Sequence, residues 1–467
     1  MFFNMMIKNN FRPYRQPKKS NNYLIMYVSF VIVLVFLIGC KRESVSPPEP
    51  KPVDPPVLVI EKANYYVAPD GSDSNPGTID KPFKSWDKIV SVVKPGDLVY
   101  LRGGIYYKGT RSNYAACYLA GKSGNPGKYI RMWAYPGETP VLDCKDLITA
   151  SGVVGLRLMN SNYWHIKGIE IKNVYQIYNT STKRGTDHVG LAISNSSYNI
   201  IENIKIHDIG GPGCGIAGTS TENIVKNSDF YKNYDPYTVS STTGADYHGG
   251  NADGIHISAL KGTVNTITGC RFSENSDDGI DMWQTDGIVK LDSCWSFNNG
   301  LDHGDGMGFK YGETTVAYED VTKRYTSHCL AYNNKGMGFD QNDADAKMEF
   351  YNNFAYKNVG VGYYMSKFNL KNTFINNINY KNNNPKALLT AESVNTNNSW
   401  NGITISDADF TSVDMTGIDG PRKANGNLPD VNFLRPSSNS IVIDKGIDVG
   451  FPFYGKAPDL GIFELKK

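Results

Sequence analysis

Four aspartates and one lysine have the types and spacing of a reactive site. Asp253 lies in Asn251-Ala-Asp-Gly-Ile-His256, and Asp277, Asp278 and Asp281 lie in Asn275-Ser-Asp-Asp-Gly-Ile-Asp-Met-Trp283. A single Asp-Gly pair is an ordinary turn. Two such segments one structural repeat apart are different. If the repeat is a solenoid coil, Asp253 and Asp277 stack ~4.8 Å apart, with Asp278 and Asp281 a few residues along. Like charges at that range repel, and raising one pKa relieves only part of the repulsion. A bound cation relieves all of it. An all-oxygen donor set favours a hard ion, and calcium accepts the loose geometry of mixed carboxylates.

Lys310 stands in Gly306-Met-Gly-Phe-Lys-Tyr-Gly312. It follows a Gly-aromatic pair as Asp281 follows Gly279-Ile280, which places it about one coil from Asp281. Close to a dication and partly desolvated, its ammonium form is disfavoured, so its pKa is expected to fall and the amine to serve as a general base. The alternative is a salt bridge to the aspartates. Lys261, Arg324 and Lys335 are weaker candidates for meeting negative charges on a ligand, and Trp283, Tyr311 and Tyr247 for stacking on one. Asn251, Asn275, Asn333 and Asn342 read as ladder residues.

The elements that must position these residues repeat. Ile267–Asn275, Leu291–Asn299, Thr326–Asn334, Glu349–Asn358 and Thr373–Asn382 align: each has a Cys or Asn, an apolar or aromatic pair at spacing two, then Asn. A Gly-apolar pair usually follows, as at Gly279-Ile280, Gly308-Phe309, Gly338-Phe339 and Gly362-Tyr363. The period is about 22–24 residues, stretched by insertions. Short period-two strands between Gly and Asn turns cannot bury a face alone, whereas stacked coils bury it jointly. The fold class is therefore all-β, a right-handed parallel β-helix with an N-terminal helical cap. Leucine-rich repeats and propellers lack support, because neither the leucine frame nor a blade signature is present.

The expected division is a targeting segment at 1–39, a Pro-rich tether at 40–63, a cap at 64–110, the β-helix at 111–400 and a C-terminal extension packed on it at 401–467. The cap contains an amphipathic stretch, Ser85–Val93, able to cover the open end of the first coil. Six cysteines follow Cys40, with no CxxC pair, which argues against zinc. Cys270, Cys294 and Cys329 occupy equivalent repeat positions and read as small stacked core residues.

Of 467 residues, 40% are hydrophobic and 20% charged, with 46 Gly and 30 Tyr, a turn-rich composition. Net charge is +2, and the first 39 residues carry five of the basic side chains and no acids. The rest is slightly acidic, so nucleic acid is excluded as a partner. Lys18 and Lys19 precede an apolar run, Tyr23 to Ile38, ending Leu37-Ile38-Gly39-Cys40. The run is short for a membrane span and resembles the lipobox of bacterial lipoproteins. That resemblance implies an acyl anchor at Cys40 and an exported protein at the outer membrane or cell surface. Start at an internal methionine such as Met26 is an alternative.

Asn-Ala-Asp-Gly (251–254), Asn-Ser-Asp-Asp-Gly-x-Asp (275–281), Gly-Phe-Lys-x-Gly (308–312) and Gly-Phe-Asp-Gln-Asn (338–342), in this order, resemble polysaccharide lyase family 9. The resemblance runs over roughly residues 64–464 and is sharpest at 250–342. The segment Tyr65–Gly77 and the tail Ala457–Glu464 resemble the caps and endings of pectate-lyase-like β-helices. The family resemblance implies calcium held by Asp253, Asp277, Asp278 and Asp281, and Lys310 as the proton-abstracting base. It implies β-elimination on pectin, either polygalacturonate or rhamnogalacturonan-I, by a monomer. Three rivals are an inverting polygalacturonase using Asp277 and Asp278 with a water between them, a non-catalytic glycan-binding β-helix, and a uronan epimerase.

Overall fold

The computed structural model describes residues 60–109, 115–147, 152–240 and 242–466. The expected targeting segment, Cys40 and all but the end of the expected tether lie outside them. Three long sheets account for nearly all strands. One has 12 strands, from Tyr65–Val67 to Val394–Thr396. A second has 10, from Gly104–Tyr107 to Ile378–Tyr380, and the third has 10, from Ala115–Ala120 to Leu388–Leu389. The second is called here the flank sheet and the third the site sheet. Each coil visits them in turn: Val264–Thr268, Arg271–Ser273 and Ile280–Asp281 form one coil. Every pairing within the three sheets is parallel, for example Ile280 beside Phe309. This is the right-handed parallel β-helix that the repeats imply.

Period two explains both core and groove. In Gly-Ile-Asp and Gly-Phe-Lys the middle residue points inward and the next outward. Phe309, Phe339 and Tyr363 consequently stack inside with ring centroids 5.0 and 4.8 Å apart. The glycine before them is required by the stacking itself. A Cβ on Gly254 would meet the Gly279 carbonyl oxygen at 2.5 Å, and one on Gly279 would meet that of Gly308 at 2.6 Å.

Asparagine has two jobs. At the turn between the 12-stranded and flank sheets, Asn227, Asn352 and Asn376 adopt positive φ of 52°, 53° and 63°, which Asn tolerates better than most residues. At the next turn a buried ladder runs through Asn233, Asn275, Asn299, Asn334, Asn358 and Asn382. Each side-chain amide donates to the next amide oxygen at 2.8–3.0 Å. Of the four asparagines read as ladder members, only Asn275 belongs to it. Asn333 and Asn342 are positive-φ turn residues, and Asn251 is exposed. Where the repeat ends in two asparagines, as at Asn298-Asn299 and Asn333-Asn334, the second is the buried one.

All six described cysteines are buried and free. The expected cap helix is a short 3-10 turn, Trp86–Ser91, burying Trp86 and Ile89 against the first coils. Residues 401–466 cover the flank sheet: Phe410, Val431, Phe433 and Leu460 pack on Trp295, Leu330, Phe354 and Tyr356. Buried Asp229 fastens them there, pairing with Arg271 and with Arg422, each at 2.7 Å.

Candidate active site

The turn from flank sheet to site sheet carries Asp253 and the Asp277-Asp278 pair, each ahead of its outward-facing strand residue. The register differs by one position from the expected stacking. Gly254 N–H bonds the Asp278 carbonyl, and Asp277 N–H bonds the Ala252 carbonyl. Asp253 thus lies opposite Asp278, and Asp277 sits one place back. The coil is one residue longer than Asp253-to-Asp277 spacing implies. The cluster survives the shift. Oxygens of Asp253, Asp277 and Asp278 lie within 4.8 Å of one another, and Asp253, His256 and Asp281 form a second such group.

Backbone amides aim these carboxylates. Asp253 Oδ1 accepts from Asp278 N–H at 3.1 Å, Asp277 Oδ1 from Asp305 N–H at 2.7 Å and Asp278 Oδ1 from Met307 N–H at 2.6 Å. Asp281 Oδ1 accepts from Trp283 N–H at 2.8 Å. Anchoring Oδ1 in three of them turns Oδ2 to shared neighbours. Oδ2 of Asp278 and of Asp281 lie 2.9 and 3.4 Å from Lys310 Nζ, and Asp253 Oδ2 lies 3.6 Å from His256 Nδ1. Asp253, Asp277, Asp278, Asp281 and Lys310 are all buried.

On the outward face His256, Asp281, Lys310 and Asp340 are successive partners up the site sheet. The offset after the Gly-apolar pair that links Asp281 to Lys310 in sequence corresponds to this row. Without a cation, Lys310 forms the salt bridge to the aspartates that was the alternative reading. Burial alone would depress its pKa, but the charges of Asp278, Asp281, Asp277 and Asp305 outweigh burial and hold it well above the ordinary lysine range. Asp305 Oδ2 is 3.1 Å from Nζ. Burial, then mutual repulsion, drives Asp253 and Asp277 far above normal carboxylates. Burial pushes Asp278 up to about 7 against the pull of Lys310. His256 is lowered by burial, which favours neutral imidazole.

One ammonium against five carboxylates leaves the cluster short of positive charge. The oxygens are preset by backbone hydrogen bonds, and the donor set is carboxylate with one imidazole. These residues fit a hard divalent cation.

His256, Asp305 and Asp340 are members that sequence reasoning did not assign. His256 and Asp340 carry a usable signal, because each follows a Gly-apolar pair at the same offset as Asp281 and Lys310. Asp305 carries none, since it lies in the insertion before Lys310. Burial raises Asp340 to about 6. Tyr247 is near the cluster: burial, then Asp305 and Asp277, raise it to about 12. The other secondary candidates are not brought together. Tyr311 is a core residue bonded to Thr326. Arg324 is fully buried and donates to the carbonyls of Gly287, Thr285 and Lys323. Lys335 clamps the carbonyls of Asp302 and Gly304, and Lys261 pairs with Glu319. Trp283 is exposed at 39%.

A parallel β-helix with an acidic cluster and a buried lysine on the outward face of one sheet defines the class. A family model described as "Pel9A-like, right handed beta helix region" matches residues 65–384, and the chain belongs to that family. Pectate lyase L of Dickeya dadantii (strain 3937) is 30% identical over 427 residues, covering 87% of this chain and 91% of the relative. Pectate lyase PEL9 of Emericella nidulans is 28% identical over 404 residues, 80% of this chain and 92% of the relative. Among solved structures, pectate lyase Pel9A superposes with a TM-score of 0.71 at 29% identity, covering 86% of this chain and 96% of that one. A rhamnogalacturonan lyase gives 0.67 at 28%, covering 80% and 96%. The chain is accordingly an enzyme, a polysaccharide lyase.

Proposed function

We propose that the enzyme cleaves a galacturonate-containing pectin backbone, polygalacturonate or rhamnogalacturonan-I, by β-elimination. In this reading Asp253, Asp277, Asp278 and Asp281 hold calcium and Lys310 is the base. The observation that carries it is the placement of Lys310 Nζ, 2.9 Å from Asp278, among carboxylates aimed by neighbouring backbone amides. The names of the relatives, pectate lyase and rhamnogalacturonan lyase, point to the same substrate class.

Calcium bound here would offset the carboxylates that keep Lys310 protonated and would neutralise the uronate carboxylate, acidifying its C5 proton. Lys310, once neutral, accepts the C5 proton from the groove side. The electron pair left at C5 forms the C4–C5 double bond, and the C4–O bond breaks with its electrons leaving on the glycosyl oxygen, which takes a proton from water. Asp278 and Asp281 fix the amine at the groove floor, and Asp305 covers it from the insertion. The protein further reads as an exported monomeric lipoprotein, anchored through Cys40 and held off the outer membrane by the tether at 40–63.

The inverting hydrolase is less well supported. It needs carboxyl groups about 6.5–9.5 Å apart to admit a water, whereas oxygens of Asp253, Asp277 and Asp278 lie within 4.8 Å. The test is ultraviolet absorbance of products from polygalacturonate and, separately, rhamnogalacturonan-I, with calcium and with chelator. An absorbance rise that needs calcium and is lost in Lys310→Ala is expected, and the responding polymer names the backbone. New reducing ends without absorbance, persisting in chelator, would sink the elimination reading.

A further inference from the structure

The outward row of the site sheet continues below His256. Its next positions are Gly215, Ala192 and Arg157, each the register partner of the one before. Arg157 is therefore three coils from His256 and five from Lys310, about 14 and 24 Å at the usual strand spacing. Most described arginines are spoken for: Arg102, Arg131, Arg271, Arg422 and Arg435 face carboxylates. Arg157 has no carboxylate or carbonyl partner among the described residues, and its Nε is buried without an acceptor. That nitrogen is closed to a ligand, but Arg157 as a whole is only half-buried, and an unpaired guanidinium gains from a carboxylate partner.

The floor between Arg157 and the acidic cluster is kept low. A Cβ on Gly215 would meet nothing closer than Val189 Cγ1 at 3.5 Å. Packing would admit a side chain there, and the sequence places none. Ala192 adds one carbon. It belongs to a small apolar cluster with Ala115, Val154, Tyr118 and Val189, of which only Tyr118 and Val189 are partly exposed, and Tyr118 and Ala192 flank Arg157 as its register partners. An apolar floor suits the C–H face of a sugar ring, and a guanidinium suits a carboxylate, which it can bind through two parallel hydrogen bonds.

We infer that Arg157 binds a uronate carboxylate of the polymer at a distal subsite, so that the groove grips a chain running from Lys310 across Gly215 and Ala192. The inference rests on the uronide reading above. Productive binding then uses several sugars on the Arg157 side of the scissile bond, and affinity grows with chain length until the chain reaches Arg157.

The experiment compares wild type, Arg157→Met and Arg157→Lys on polygalacturonate and on trigalacturonate, a chain too short to reach from Lys310 to Arg157. Absorbance gives kcat and KM, and thermal unfolding checks the fold. For Arg157→Met, kcat/KM on the polymer should fall about tenfold or more, mainly through KM. Activity on the trimer should stay within about twofold, and Arg157→Lys should recover part of the loss, since it restores charge without the planar fork. Equal losses on both chains, or no loss on the polymer, would overturn the inference and leave the lyase reading standing. A wild type that releases no unsaturated product from any uronide would remove that reading and this inference with it.

Discussion

Asp278 Oδ2 and Lys310 Nζ meet at 2.9 Å across neighbouring coils, both removed from solvent. Breaking a buried pair by deleting one member strands the other, typically at about 3–5 kcal/mol. Lys310→Met should therefore have two separable effects. Turnover should fall about 10²- to 10⁴-fold, the usual worth of a general base. The melting temperature should drop in chelator and recover when calcium is added, because the stranded carboxylates then have a counter-ion. Loss of activity without this calcium-dependent stability would show a base but no shared cation site.

The cation itself should stabilise the fold. At 100 times its dissociation constant a ligand adds about 2.7 kcal/mol to the native state. Calorimetric scans with calcium and with chelator should differ in midpoint for the wild type. The difference should shrink sharply in Asp253→Ala, whose carboxylate belongs to both possible ligand groups. An undiminished difference in that variant would place the responsive site elsewhere.

The asparagine ladder gives a paired test. Asn334 Oδ1 accepts from the Asn299 side chain at 2.9 Å and from its backbone N–H at 3.1 Å. Asn334→Ala leaves buried groups unpartnered and should cost about 1–3 kcal/mol. Its neighbour Asn333 is exposed, with φ of 49°. Asn333→Gly should be close to neutral, since glycine adopts that conformation freely. Denaturant midpoints for the two variants distinguish the buried asparagine from the turn asparagine.

Acid stability should depend on Glu202. Its carboxyl is held down to about 2, first by the hydrogen bond with His165 and, against burial, by Lys167 and Lys226. A depressed carboxyl contributes stability above its unfolded value, and that contribution is lost as pH falls through the folded value. Between about pH 4.5 and 2 the wild type should lose stability more steeply than Glu202→Gln. The variant should be the less stable of the two at neutral pH. Unfolding midpoints across that range measure both.

Much of this architecture is legible in the chain. Gly-apolar-X recurs with the coil, so the outward position X could be traced from Asp281 to Lys310 without coordinates. The same rule gives the register of Asp253, since Gly254-Ile255 aligns with Gly279-Ile280 and sets Asp253 opposite Asp278; counting one fixed coil of 24 residues from Asp253 missed it and gave Asp277. The charge state of Lys310 was hidden. It depends on Asp305, which arrives from an insertion, and on the orientation of Asp278 and Asp281, which backbone amides set. Arg324 and Tyr311 look like ligand-facing residues by type. The fold places both inside, the arginine matched to carbonyl oxygens and the tyrosine to a threonine hydroxyl.

The ladder has one more consequence. Its rungs are separated in sequence by 42, 24, 35, 24 and 24 residues, yet the amide contacts barely change. Extra chain is expelled sideways as loops and leaves the vertical spacing intact. The groove's floor and its rim are thus independently editable. A loop graft between the rungs can reshape what the rim admits while the distance from Asp281 to Lys310 stays set by strand pairing. Whole coils, by contrast, are the quantum in which the floor itself can lengthen.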